Sequence, residues 1–457
     1  MPDEPITDRI AAPAVARRRG RRVSPALAGA LVALALAAAI APALLPGTSI
    51  SREAVPVAAG AIFAASYLAL AVGRVPGLAI DRAGVALVGA ALMVACGAMP
   101  LAEAYRAIDL DTLTLLLGMM IVVANLRLAG FFNAASAWAI GRAGSPLALL
   151  AAIVGVSGVL SAFLVNDAVC LVLAPLVLEL TTALRRNPVP YLLAVAMAAN
   201  VGSTATITGN PQNMMIGSLS QIPYAQFAAA LAPVAGAGLI VTVALIALLH
   251  RNEFAGATPL AARIVPARLH RVLMWRALGA AAILIVLFFA GQPPAKAAIV
   301  IGGLLLLTRR VRSERVYAQI DWSLLLMFAG LFIIVAGAER VLLTPDTIAV
   351  AGTLHLDRVP ALSAVTAVLS NLVSNVPAVL VLRPFVEPLA DPKTAWLTVA
   401  MASTLAGNLT VIGSIANLIV VQRAAAGGVT IGLWDYCRVG VPLTLLTLAI
   451  GTMWLSS

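Results

Sequence analysis

The sequence predicts an all-α polytopic membrane protein of about 11 transmembrane helices. These form two inverted repeats, each with a re-entrant hairpin and a broken helix. Three observations carry this. First, 61% of the 457 residues are hydrophobic and only 11% are charged, with a mean hydropathy of +1.01. Soluble domains are roughly 45–50% apolar. Second, the stretch Asn200–Ile216, NVGSTATITGNPQNMMI, crowds amides, hydroxyls, glycines and a proline into an apolar chain. Lipid offers such groups no partners, so a cavity must. Third, a similar stretch recurs at Thr404–Val420, TLAGNLTVIGSIANLIV. Matching broken helices in two halves mark a transporter site.

From the N-terminus, Arg17–Arg22 precede an apolar run at Pro25–Leu45. That pattern resembles the start of a signal peptide, or a twin-arginine export signal. A run of about 20 apolar residues followed by a dozen more segments reads instead as an uncleaved first span. Apolar segments follow at Ala54–Val72, Ala83–Ala98 and Asp109–Leu126, then a shorter interfacial piece at Phe131–Arg142. Pro146–Leu164 and Ala168–Leu184 flank Asn166-Asp167. Val189–Ser203 leads into the first broken stretch, Met214–Leu219 leaves it, and Ala225–Leu249 closes the half. The second half runs through Val272–Ala290, Ala297–Leu307, Asp321–Ala338, a short Thr347–Leu354 and a pair of segments around Asn375. The second broken helix and a last span at Val439–Leu455 end the chain.

Three gap-free blocks relate the halves. IDLDTLTLLLGMMIVV from Ile108 faces IDWSLLLMFAGLFIIV from Ile320, pairing Gly118 with Gly330 and Asp109 with Asp321. Both aspartates stand at helix starts, where N-capping accounts for them. LSAFLVNDAVCLVLAPLV from Leu160 faces LSNLVSNVPAVLVLRPFV from Leu369, pairing Asn166 with Asn375. The broken helices are the third block, pairing Thr206 with Thr410, Gly209 with Gly413 and Asn213 with Asn417.

The expected organisation has four parts. Residues 1–50 are a basic cytoplasmic N-terminus with the first transmembrane helix, and residues 51–250 are the first repeat, with its hairpin near 146–184 and broken helix at 189–219. Residues 251–271 are a basic cytoplasmic linker. Residues 272–457 are the second, inverted repeat, with its hairpin near 359–390 and broken helix at 394–421. With both hairpins re-entrant, 23 of the 30 Lys and Arg fall on the cytoplasmic side, 6 outside and Arg383 within a hairpin arm. Positive-inside bias then sets the N-terminus in the cytoplasm of a cell inner-membrane protein.

The formal charge of +11 sits in these short loops, so nucleic acid is not an expected partner; the lipid bilayer is. Cys96, Cys170 and Cys437 have no metal-ligand spacing, and His250, His270 and His355 lie in loops. No hydrolase motif, phosphate-binding loop or metal cluster is visible, so neither an enzyme nor a bound cofactor is expected. Transport is then coupled to an ion gradient or uncoupled.

The candidate substrate and ion site collects Asn166, Asp167, Thr204, Thr206, Gly209, Asn210 and Asn213 from one half. Ser374, Asn375, Asn408, Thr410, Gly413, Ser414 and Asn417 come from the other. Half-helix N-termini suit an anion, and unwound carbonyls suit a small cation such as sodium. Asp167 is the sharpest residue, because an intramembrane carboxylate costs about 2.5–3.5 kcal/mol to insert. It is a candidate to hold a cation or an exchanged proton. The bland alternative pairs it with a neighbour, with Arg383 as one partner.

The motifs Ser161–Asp167, Gly202–Asn213, Ser370–Pro377 and Gly407–Asn417 resemble those of the ion transporter superfamily. That superfamily includes arsenite permeases, NhaD-type sodium/proton antiporters, citrate permeases and divalent anion/sodium symporters. The resemblance runs from about Asp81 onward. It implies a homodimer in which a transport unit moves against a scaffold, an elevator-type mechanism. In the divalent anion symporters each hairpin tip reads Ser-Asn-Thr, contacting sodium and substrate carboxylate. Here the tips are Val165-Asn166-Asp167 and Ser374-Asn375-Val376. Both asparagines and one serine carry over, and neither threonine does. The resemblance thus implies an arsenite-permease-like carrier of small anions or oxyanions. The alternatives are a sodium/proton antiporter, with Asp167 as the shared site, and a citrate-like organic anion permease. A channel or an intramembrane enzyme lies outside this class.

Overall fold

Helix accounts for nearly all regular structure in the computed structural model, which describes residues 49–72, 79–141, 143–254, 270–308, 311–344 and 352–457. The run at Pro25–Leu45, most of the basic linker and the start of Thr347–Leu354 lie outside the described residues. The first half contains α1 (Ser49–Val72), α2 (Arg82–Ala95), α3 (Leu101–Ala107), α4 (Leu110–Leu128) and α5 (Phe131–Ile140). It continues with α6 (Pro146–Phe163), α7 (Asn166–Ala183), α8 (Pro188–Ser203), α9 (Pro211–Ser220) and α10 (Tyr224–Leu249). After α11 (Arg251–Phe254), the second half contains α12 (Arg271–Phe289), α13 (Pro294–Leu306), α14 (Ser313–Tyr317) and α15 (Trp322–Leu342). It closes with α16 (Val359–Val373), α17 (Asn375–Val386), α18 (Pro392–Ala406), α19 (Ile415–Ala426) and α20 (Leu433–Leu455). Among the described residues there is no strand, and 8 helices are long and apolar enough to cross a membrane.

Local chemistry sets the helix limits. Asp109 accepts from the backbone N–H groups of Asp111 and Thr112, and Asp321 accepts from that of Leu324, so both act as N-caps. Proline opens α6, α8, α9, α13, α16 and α18 at the first or second position. There its missing N–H costs nothing. Helix α9 starts at Pro211, ahead of the expected Met214, because Asn210 caps it. Helix α20 starts at Leu433, six residues before the expected Val439. Asp435 accepts from the Gly432 N–H, a cap that carries the helix past its charged first turns.

The internal repeat is visible in the packing. Helix α4 lies against α13, and α2 against α15, so each pair joins one half to the other. A Cβ on Gly118 would fall 2.5 Å from the Ala298 backbone. One on Gly330 would fall 2.6 Å from the Ala86 backbone. These are the same contact made twice, with small residues letting two helices meet closely. Helices α1 and α12 flank these pairs.

With α3 on α15 and α14 on α4 also part of this first body, the remaining helices form a second body around α8 and α18. Residues Pro190–Ser203 and Ala395–Ala406 are buried along their whole length. A helix apolar on every side belongs in such a position. Both contain Val-Ala-Met-Ala, at 195–198 and 399–402. Helix α6 packs on α8 through Gly158 and Gly202, and α16 packs on α18. Few contacts tie this body to the first, chiefly α4 with α9 and α15 with α17.

Candidate transport site

Each break in the central helices is closed by one asparagine. After α8 the chain makes a single 3-10 turn at Ile207–Gly209 before α9 begins. The Asn213 Nδ2 donates back to the Ser203 and Thr206 carbonyls at 3.1 and 3.0 Å. In the other half, Asn417 Nδ2 donates to the Gly407 and Thr410 carbonyls at 2.7 and 3.1 Å. The carbonyls freed where each helix breaks are satisfied this way, as burial requires. Gly209 and Gly413 lie where the chain folds back on itself, and a Cβ would fall 2.1 Å from the Ser203 oxygen or 2.8 Å from that of Gly407. Asn210 and Ser414 cap the following half-helices, accepting from the N–H groups of Asn213 and Ala416.

The two breaks are then tied to each other through Asn200. Its Nδ2 donates to Asn408 Oδ1 at 2.9 Å and to Asn417 Oδ1 at 3.0 Å. Its Oδ1 accepts from Asn166 Nδ2 and from Ser414 Oγ, both at 3.0 Å. All four bonding positions of this amide are filled. Thr404, its counterpart in the other half, accepts from Asn210 Nδ2 at 3.1 Å and Gln212 Nε2 at 3.3 Å. Thr204 donates to the Asn200 carbonyl, and Thr206 to that of Ala162 in α6.

The hairpins turn tightly. Helices α6 and α7 are joined by Leu164-Val165, while α16 and α17 are joined by Ser374 alone, at φ 78°. The tips and the breaks meet at one small cavity of about 40 Å³. Asn166 and Asp167 of the α7 start line it, with Pro211 and Gln212 of α9, Asn375 and Val376 of α17, and Ser414 and Ile415 at α19. Four helix N-termini therefore converge, each contributing partial positive charge. The opposite wall consists of Leu70, Arg82, Leu324 and Met327 from the first body.

Of the fourteen residues singled out from sequence, Asn166, Asp167, Ser374, Asn375 and Ser414 line the cavity. Asn210, Asn213, Asn408 and Asn417 stand behind it as fully buried bonding groups, and Thr204 and Thr206 brace the first break. Arg383 is not a partner for Asp167. It pairs with Glu387 four residues on, at 2.9 Å, because one helical turn brings the two together. The Asp167 carboxylate has no hydrogen-bond or ion-pair partner among the described residues, although its place in the first turn of α7 suits an acid.

The halves differ in how well they are satisfied. Thr410 Oγ1, Asn371 Oδ1 and Asn375 Oδ1 are buried without partners, whereas Thr206 and Asn166 are bonded. Sequence reasoning missed Asn200, Gln212, Thr404 and Arg82 as parts of the site. The first three sit inside or beside the polar stretches, so pairing Asn200 with Thr404 across the repeat is a signal that could have found them. Nothing marks Arg82, which reads as an ordinary helix-start charge next to Asp81.

A family model described as citrate transporter, CitMHS, matches residues 67–406. An uncharacterised transporter of Mycobacterium tuberculosis, Rv2684, is 31% identical over 428 residues, spanning 87% of this chain and 97% of that protein. The rice silicon efflux transporter LSI3 is 28% identical, over 80% of this chain and 90% of its own length. Among solved structures, the YdaH transporter of Alcanivorax borkumensis superposes with a TM-score of 0.57. The match covers 78% of this chain and 86% of that one at 16% identity, a likeness of fold. The extent of the family match, together with the paired broken helices, means that the chain belongs to the CitMHS citrate transporter family of the ion transporter superfamily and is a multi-pass secondary transporter.

Proposed function

We propose that this chain is an ion-gradient-driven carrier of small anions or oxygen-rich acids, arsenite-permease-like. In this reading the second body moves past the first in an elevator-type step. The observation that carries it is the convergence of four helix N-termini, two asparagines and an unpaired aspartate on one cavity. Helix N-termini favour acceptor oxygens, and hairpin-tip amides can hold them by hydrogen bonds. Silicon in water is a small neutral hydroxy acid, as arsenic is in arsenous acid, so the rice relative supports the oxyacid reading. Citrate is the rival substrate, supported by the family description.

The coupling ion is a proton or sodium. Asp167 is the group proposed to carry it, and the unpartnered oxygens of Asn375, Asn371 and Thr410 are further ligands of the type that suits sodium. The proposed setting is a homodimer in the cell inner membrane with the N-terminus in the cytoplasm.

Everted vesicles carrying wild type or Asp167→Asn test the assignment. Arsenous acid, sodium and citrate are offered with a proton gradient on or off. Gradient-driven accumulation of arsenous acid, lost in Asp167→Asn, is the expected result. Sodium-dependent proton movement without uptake of either acid would move the assignment to an antiporter.

A further inference from the structure

We propose that Arg82 is the substrate-anion contact of this cavity and selects charged acids over neutral ones. This deepens, and rests on, the carrier function proposed above.

Four observations place it there. Arg82 is the first residue of α2, half-buried, and lines the same cavity as Asn166, Asp167, Ser374 and Asn375. It is the only basic side chain among the lining residues described, as Asp167 is the only acidic one. Its guanidinium has no hydrogen-bond or ion-pair partner among the described residues. The neighbouring Asp81 forms no ion pair with it; Asp81 Oδ1 accepts from the Gly84 N–H at 2.8 Å as the cap of α2.

A half-buried guanidinium beside polar tips, with no carboxylate holding it, is costly unless an anion completes it. Its planar array of donors matches a carboxylate or another oxyanion in two-point contact. Arg82 and Asp167 line one cavity without pairing with each other, so neither charge neutralises the other by direct contact. With a cation or proton on Asp167, the charged groups of the wall sum to one positive charge, which favours an anionic ligand. The tips and broken helices are bonded together as one unit through Asn200, whereas α2 packs on α15 and α1. Arg82 therefore acts from the wall that the hydrogen-bonded unit does not include. Its contact forms in the arrangement seen here and breaks when the unit shifts, which favours release.

The test reconstitutes the full chain in proteoliposomes and measures uptake of citrate and of arsenous acid, which is neutral near pH 7. Wild type, Arg82→Gln, Arg82→Lys and Asn375→Ala are compared after confirming monodisperse elution. Arg82→Gln is expected to lower the ratio of citrate to arsenous acid transport by roughly ten-fold or more, through KM for citrate. Arg82→Lys, which keeps the charge, is expected to hold that ratio within about three-fold. Asn375→Ala is expected to lower transport of both. An unchanged ratio in Arg82→Gln, with Asn375→Ala impaired, overturns the role of Arg82 and leaves the carrier standing. Wild type that moves arsenous acid but not citrate does the same. Wild type that moves neither acid overturns the carrier reading together with this inference.

Discussion

Asn200 spends every donor and acceptor of its amide on groups from three other segments, the first hairpin tip, the second break and α19. Replacing it with alanine strands Asn166 Nδ2, Asn408 Oδ1 and Asn417 Oδ1 together in a buried place. Each buried polar group left without a partner costs about 1–3 kcal/mol. Asn200→Ala should therefore lower the melting temperature of the purified protein and cut transport by at least ~10-fold. Normal melting with normal uptake would show that the network does not hold the site. The composition of this network was partly legible in the sequence, because a density of amides within an apolar chain demands partners. Which amide meets which was not, since Asn200 and Asn408 are 208 residues apart and only the packing of α8 against the second break joins them. Arg82 was illegible for another reason: an arginine at a helix start is ordinary, and its lack of an ion-pair partner among the described residues is a fact of three dimensions.

The elements owe their arrangement to small residues at crossings. Gly118 and Gly330 meet Ala298 and Ala86 so closely that any side chain would intrude on backbone atoms. Gly118→Leu or Gly330→Leu should push α4 from α13 or α2 from α15. Overpacking of this kind costs about 1–3 kcal/mol. The expected readout is loss of monodisperse protein in detergent at temperatures where wild type survives; equal stability would mean the two pairs separate without harm. The pairing of Gly118 with Gly330 is readable from aligned sequence blocks. That each glycine faces the opposite half is not, because periodicity reports an element's face and not its neighbour. Cap chemistry explains the misplaced ends: Asn210 and Asp435 start α9 and α20 earlier than hydropathy alone suggests.

At the scale of the molecule, two bodies meet across one cavity. One is built from cross-paired helices, the other from two buried central helices with hairpins wrapped around their breaks. The helical class, the repeat and the polar breaks were all written in composition and in gap-free self-similarity, which are one-dimensional signals. The division into two bodies was not, because it depends on α2 and α15 choosing each other across the chain. The proposed movement places the transported ligand between the hairpin tips, held by both. The most direct measurement is counterflow of arsenous acid and citrate in proteoliposomes containing wild type, Asn166→Ala or Asn375→Ala, with correct insertion verified by protease protection. Each substitution is expected to reduce exchange by at least ~10-fold while the protein stays folded in the membrane, since each removes a tip amide from the cavity. Full exchange in both variants would contradict the assignment of the site.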